Sequence, residues 1–464
     1  MDTTKYDVII IGAGPGGYPC AIRLAQLQKK VLVIEAKELG GLCLNQGCIP
    51  TKALGYAAEL TESFKKAKKL GFDLEYRGYN LEVLRSWKNS VVMKLRKGVE
   101  YLFKSNKIVL KKGFAKVIDE HQVVVETTEN KEVFQADFIV IATGTRVASL
   151  PGFEFDHNFI IDTSDALELS AVPGELLVVG AGASGLEMAG IYQHLGSKVT
   201  VVEIMEQILP GMETELCTQL KRLLEKQGIK IHLNARINCW RKKDNRVEVS
   251  IKEKDTEFNA FFDKILVTVG RRPDDSAFKD ISIEKDKKGF IIVDKEFRTN
   301  IKHIFAIGDI IGPPLLAHKA THQGIMVAEL IGGGKIPAGS KNIPSCVFTI
   351  PPFSSVGLTE SQAKDKGYAV KTGKFPFRAC GKALAMEEPE GMVKIVGDET
   401  GRLLGLHILG AESSSLIGEA VIALDNGLSV EDLASSIHPH PTLTEPLCEA
   451  AENFYKKAIH IINR

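Results

Sequence analysis

Long apolar runs are missing from this sequence. None approaches the ~20 residues that a helix needs to cross a bilayer, so no transmembrane span is expected. An excess of one charge is missing too. With 59 Lys and Arg against 58 Asp and Glu, the formal net charge is +1, which offers no field to gather nucleic acid or an anionic membrane. No signal or transit peptide is visible, because MDTTKYDVIII leads almost at once into an apolar strand; a cytoplasmic location is the expectation. Cysteine is sparse. Eight in 464 residues (20, 43, 48, 217, 239, 346, 380 and 448) exclude a secreted disulfide framework. Most stand alone among apolar neighbours and read as small buried hydrophobes. A zinc site at the one close pair would need about two more ligands. No second Cys/His cluster supplies them, so no metal is expected.

What is present fits an ordinary globular chain of about three domains at roughly 150 residues each. The start reads YDVIIIGAGPGGYPCAIRLAQLQKKVLVIE: an apolar strand, Gly12, Gly14 and Gly17, a helical stretch, and a second strand ending at Glu35. The first glycine suits a tight turn, the second lets a pyrophosphate approach the backbone, and the third lets helix pack on strand. The carboxylate can bind a ribose hydroxyl. The pattern recurs as ELLVVGAGASGLEMAGIYQHLGSKVTVVE, with Gly180, Gly182, Gly185 and Glu203 each 168 positions after its counterpart. A second echo follows, ADFIVIATGTR and FDKILVTVGRR, each an apolar strand closing on glycine. Two dinucleotides are therefore expected. Glu203 would repel a 2′-phosphate, and no arginine follows it closely, so the second site is read as one for NAD. A flavin suits the first, because the two cysteines come just after Glu35 and a flavin can pass two electrons between a hydride and a disulfide.

Those cysteines lie in GGLCLNQGCIPTK, residues 40–52. In regular helix Cys43 and Cys48 would be separated by ~7.5 Å along the axis, beyond the ~7 Å Cα limit for a disulfide. Either they never meet or the chain is distorted between them, and Gly47 makes a distortion sterically cheap.

In order along the chain, GAGPGG, GGLCLNQGCIPTK, ATGT, GAGASGLE, TVGRRPD, IFAIGD with LLAHKA, and HPHPTLTE together resemble the pyridine nucleotide–disulfide oxidoreductases of the two-cysteine type. Within that family the likeness is to members that serve 2-oxo acid dehydrogenase complexes. The resemblance implies a redox disulfide between Cys43 and Cys48 on a locally distorted helix. Cys48 would be the charge-transfer thiol beside the flavin and Cys43 the interchange thiol that meets substrate; a static disulfide or two unpaired thiols are the alternatives. Lys52, four residues after Cys48 and so on the same helical face, would lie near the flavin and pair with Glu187. The position matching Glu187 in the first repeat is Pro19, so this acid is no part of the repeat signal. Its bland reading is a carboxylate favoured by the helix N-terminus.

By the same resemblance, Asp309 would hold the ribityl chain, although alone it reads as an N-cap or turn residue. Ala115, Thr143, Gly144, Thr145 and the backbone at Ala317 would also touch FAD, while Ile237 and Gly270 would line NAD. His440, oriented by Glu445, would be the base that deprotonates an attacking dithiol; His438 is read as structural, and the motif alone could be a Pro-rich loop. Leu42, Gln46 and the Pro352-Phe353 pair depart from the usual family pattern without removing a reacting group.

The expected architecture is α/β: two Rossmann-like dinucleotide-binding domains, for FAD (1–149) and NAD (150–272), a return segment completing the FAD domain (273–342), and a C-terminal α+β dimerisation domain (343–464). The implied activity is oxidation of a protein-bound dihydrolipoyl group with reduction of NAD. The implied partners are lipoyl domains of 2-oxo acid dehydrogenase acyltransferases or the glycine cleavage H protein, and a second copy of the chain, whose histidine completes the site. Three rivals are set against it. A glutathione-reductase-like enzyme would prefer NADP, which Glu203 opposes. A mercuric-reductase-like enzyme would want a further redox pair, and no cysteine follows Cys448. A non-catalytic flavoprotein subunit would not need the cysteines, lysine and histidine all intact.

Overall fold

The computed structural model describes residues 5–128, 130–335 and 342–463. These fall into two compact units. One comprises the residues up to Ala53, Asn80–Ala148 and the segment from Gly270; the other comprises Leu54–Tyr79, Ser149–Val269 and the residues from 342 onward.

In the first unit the strand Lys5–Ile11 pairs in parallel with Val31–Glu35 on one side and Lys131–Ile141 on the other, with Val8 opposite Val31 and Phe138. Val109–Lys112 extends the sheet beyond Val31–Glu35. Val8, Ile9 and Ile10 are fully buried, as expected of a parallel strand covered on both faces. The strand Lys131–Ile141 is long enough for two partners along one edge. Its first half pairs antiparallel with Gln122–Glu126, and its last residues pair in parallel with Ile304–Ala306. The helices Gly17–Gln26 and Ala317–Ile331 contribute Cys20, Leu24, Val327 and Ala328 to the core on one face of this sheet.

In the second unit a parallel five-stranded sheet runs in the order Lys230–His232, Lys198–Val202, Glu175–Val179, Lys264–Val267, Ile160–Ile161. A three-stranded antiparallel sheet, Ala235–Lys243, Arg246–Glu253 and Thr256–Phe262, shares its core through Val247, Val249 and Ile251. The remaining part is an antiparallel five-stranded sheet whose centre is Leu403–Leu409, covered by Ser413–Asp425 and Glu445–Phe454. Lys394 is buried in that sheet and bonded to Glu213, Glu215 and Glu360 at 2.7–2.9 Å. Among the described residues no helix is long and apolar enough to cross a membrane.

Candidate active site

The two fingerprints fold alike. Glu35 accepts the Ala13 N–H at 2.7 Å on one oxygen and the Lys37 N–H at 2.8 Å on the other. Glu203 accepts the Ala181 N–H at 2.7 Å and the Met205 N–H at 2.9 Å in the same way. In each copy the chain returns to the strand end: Gly113 donates to the Glu35 carbonyl at 3.1 Å and Ala235 to the Glu203 carbonyl at 2.9 Å. A Cβ on Gly17 would collide with the Gly12 carbonyl, and one on Gly185 with the Gly180 carbonyl, so both third glycines are required for helix to pack on strand. The middle glycines are different. A Cβ on Gly182 would meet nothing within 4 Å, and one on Gly14 only the Gly41 Cα at 3.8 Å. That open space before a helix N-terminus is what the close approach of a pyrophosphate would require.

Cys43 and Cys48 are joined. The helix Gly41–Gln46 stops at Gly47, whose φ −142° and ψ −111° leave the helical region, and a new helix, Cys48–Lys69, starts at once. The break brings the two Cα atoms to 4.7 Å, inside the range a disulfide allows. A Cβ on Gly47 would lie 3.2 Å from the Leu42 carbonyl oxygen, so the residue is fitted closely to the break. Gly41 fixes where the pair sits: its φ is +59°, and a Cβ there would come within 2.6 Å of the Gly14 Cα. The disulfide helix is thus seated directly on the first glycine loop.

Two further residues hold it, and neither stood out in the sequence. Asn45 donates both amide hydrogens, to the Leu39 and Gly41 carbonyls at 2.9 and 2.8 Å. Its oxygen accepts Nε and Nη2 of Arg96 at 3.1 and 2.7 Å, and Arg96 also reaches Glu38. Arg96 comes from the distant helix Leu81–Ser105, which only the fold brings near.

Elsewhere in the first unit the Thr143–Thr145 segment is tied to the chain after Gly270. Thr143 Oγ1 donates to the Asp274 carbonyl, and Arg271 donates to both Oγ1 and the carbonyl of Thr145. Asp309 receives a long hydrogen bond from Thr145 Oγ1, at 3.4 Å. Burial pushes its carboxyl upward, opposed by Lys319, Arg271 and Thr145. Lys319 is itself buried, donates to the Gly312 carbonyl, and is pushed downward by burial and upward by Asp309. Its part was not legible in the sequence. Ala317 opens the helix Ala317–Ile331, where N–H groups lack intrahelical partners. Ala115 lies in the short strand Phe114–Val117, just after Gly113. Lys52 is half-buried, one turn after Cys48.

The second unit holds the other expected residues. Glu187 is buried near the start of the helix Ala183–His194 and accepts the Phe348 N–H at 2.9 Å. Ile237 sits at a bulge in its strand; Gly270, with φ +130°, opens the last segment of the first unit instead. The two histidines of HPHPTLTE are in contrasting settings. His438 is largely buried and has both ring nitrogens engaged, with Glu419 and the Ser436 carbonyl. The Glu419 bond is the main reason its ring is pushed upward. His440 has a side chain 78% exposed and one engaged nitrogen, Nδ1, at 2.7 Å from Glu445 Oε1. Glu445 Oε2 accepts the Thr442 N–H. Burial alone would raise the Glu445 carboxyl, but the bonds from His440 and Thr442 hold it below its usual range. An ionised acceptor at Nδ1 places the ring hydrogen there and leaves Nε2 as a base.

Comparison with known proteins gives the class. Residues 6–324 match the family model described as pyridine nucleotide-disulphide oxidoreductase, and residues 343–451 match that family's dimerisation domain. The chain belongs to this family, whose two dinucleotides are FAD and NAD, and the open glycine loops with their carboxylates fit both. More particular relatives are also full-length. A protein named dihydrolipoyl dehydrogenase from Thermus scotoductus is 44% identical, with 99% of each chain covered. One of the same name from Bacillus subtilis is 40% identical over 98% of each. Among solved structures, the copper(II) complex of the HOCl-induced flavoprotein disulfide reductase RclA from Escherichia coli has a TM-score of 0.86. Its identity is 29%, over 97% of this chain and 99% of that one.

Proposed function

We propose that this chain oxidises a dihydrolipoyl group carried on a partner protein and reduces NAD, the activity for which its full-length relatives are named. The observation that carries the reading is the helix break at Gly47, which joins Cys43 to Cys48 on the first glycine loop. FAD, when bound at the first fingerprint, supplies the two-electron link between the dithiol and NAD.

The chain's own residues do the sulfur chemistry. One substrate thiol gives up its proton, and the thiolate attacks Cys43 Sγ. The Cys43–Cys48 bond breaks, a substrate–Cys43 disulfide forms, and Cys48 leaves as thiolate. The second substrate thiolate then attacks the substrate sulfur of that bond, closing the lipoyl disulfide and releasing Cys43. Two electrons have moved from substrate to the cysteine pair, and both substrate protons have been given up. His440 Nε2, oriented by Glu445, is assigned as the acceptor of these protons one at a time, passing the first to solvent before it takes the second. Its exposure within its own chain supports a role at the disulfide of a second copy in a homodimer. Lys52 and Glu187 are assigned to the flavin side by family resemblance. Supporting this are the position of Lys52 one turn from Cys48 and the burial of a carboxylate at Glu187.

The test is an assay of the FAD-replete protein with dihydrolipoamide, reduced glutathione and reduced thioredoxin in parallel, each with NAD and NADP. Turnover confined to dihydrolipoamide with NAD is expected. Preference for either other thiol, or for NADP, would overturn the reading.

A further inference from the structure

Two groups of potential metal-ligating side chains lie outside the cysteine site among the described residues. Glu213, Glu215 and Glu360 are already paired with three ammonium groups, Lys394 to all three, Lys374 to Glu215 and Lys364 to Glu360, and carry no cation proposal. The other group is Glu120, His121 and His303, and nothing in the sulfur chemistry uses it.

The fold itself builds this second cluster. The edge of Lys131–Ile141 changes partners partway along: Gln122–Glu126 ends its pairing at Gln135, and Ile304–Ala306 begins at Ile139. His121 and His303 are the residues immediately before those two partner strands. The Ala136 N–H donates to the His121 carbonyl at 2.9 Å and the Ile139 N–H to the His303 carbonyl at 3.0 Å, so both backbones are anchored across the seam. The two imidazoles face each other there, with ring centroids 4.7 Å apart. Asp119 accepts the His121 N–H at 2.7 Å and fixes the preceding turn. Glu120, exposed on that turn, brings a carboxylate. One ligand atom from each of the three residues lies within 4.8 Å of the others.

The tautomer is set as well. His121 Nδ1 lies 2.8 Å from the Ala136 carbonyl, which can only accept, so Nδ1 carries the hydrogen and Nε2 keeps its lone pair. A backbone carbonyl on the far nitrogen is the usual orienting contact of a ligating histidine. We propose that Glu120, His121 and His303 form a binding site for a borderline divalent transition-metal ion such as zinc or copper(II). Two imidazoles and one carboxylate match that class and not magnesium or calcium, with solvent completing the coordination. Such an ion would staple the hairpin carrying Ala115 to the strand that leads into Asp309, at the end of that strand away from Asp309. Sequence spacing gives no sign of the site, because its histidines are far apart in the chain.

The experiment uses the oxidised, FAD-replete protein, in which the cysteine pair is closed, freed of metal with a chelator. Zinc is titrated in competition with a chromophoric chelator, and copper(II) is added separately for electron paramagnetic resonance. One zinc per chain is expected, weakened at least tenfold in His121→Gln and in His303→Gln and also weakened in Glu120→Gln. His460→Gln, which alters an exposed histidine paired with Glu449, should leave that zinc in place. The copper spectrum should show coupling to two imidazole nitrogens, reduced to one in His303→Gln. Glu120 is exposed, so its variant tests the site without disturbing the fold. Equal zinc affinity in wild type and all three site variants would overturn the proposal, as would a copper spectrum unchanged by His303→Gln.

Discussion

In the first nucleotide fold Glu35 braces the Ala13 and Lys37 amides; in the second, Glu203 braces the Ala181 and Met205 amides. The scaffold is the same to the hydrogen bond, and the differences lie in what surrounds it. Gly182 faces open space, whereas Gly14 has Gly41 of the disulfide helix against it. The first fold has added a sulfur pair to a nucleotide loop; the second has kept the loop bare and placed a buried acid, Glu187, on its helix where the first has Pro19. The two copies thus keep the same glycine loop and carboxylate brace and differ by short local changes around it.

The hardest test of that division is removal of the sulfurs. Cys43→Ser and Cys48→Ser should each abolish dihydrolipoamide oxidation while FAD stays bound. On reduction, the long-wavelength absorbance of a thiolate beside flavin should survive in Cys43→Ser and vanish in Cys48→Ser; the reverse would exchange their roles. Next in size is the base. His440→Gln should lower turnover roughly 10²–10⁴-fold. If the histidine serves a second copy, mixed dimers of His440→Gln with Cys43→Ser should regain activity at about half their sites, because one site carries both lesions and the other neither. No recovery after proven subunit exchange would place both residues in one chain's site.

The glycine pair separates the two copies directly. Gly182→Ala should keep its flavin and raise the KM for NAD at least about tenfold, equivalent to ~1.4 kcal/mol. Gly14→Ala should instead lower the flavin-to-protein ratio. Identical consequences from both would dissolve the distinction. Smallest is Asn45→Ala, which leaves Arg96 only Glu38 as a partner and takes the side-chain donor from the Leu39 and Gly41 carbonyls. A loss of about 1–3 kcal/mol is expected, read by thermal unfolding of the oxidised protein, with faster alkylation of the reduced thiols.

Much of this site could be read from the chain because its signals are local. Strand, glycines and terminal acid fall within one short segment, and their repetition in register is hard to produce by accident. The cysteine spacing correctly posed a geometric problem, and Gly47 between them pointed to its solution. What escaped were contacts between remote segments. Arg96 reads as one more charge on a long amphipathic helix, Lys319 as a polar residue in an Ala-rich one, and His121 and His303 as isolated loop residues. Their settings come from helix packing and strand order, which no short window of sequence contains.

The break at Gly47 has a bearing on what happens when the sulfurs part. It is maintained by bonds that involve no sulfur: Asn45 to the Leu39 and Gly41 carbonyls, Arg96 to Asn45, and the Thr51 N–H to the Gly47 carbonyl. Reduction therefore leaves the two thiols facing each other at a high effective concentration. Re-closing the ring requires little loss of chain entropy, so the pair can be opened and shut repeatedly while the backbone around it stays still.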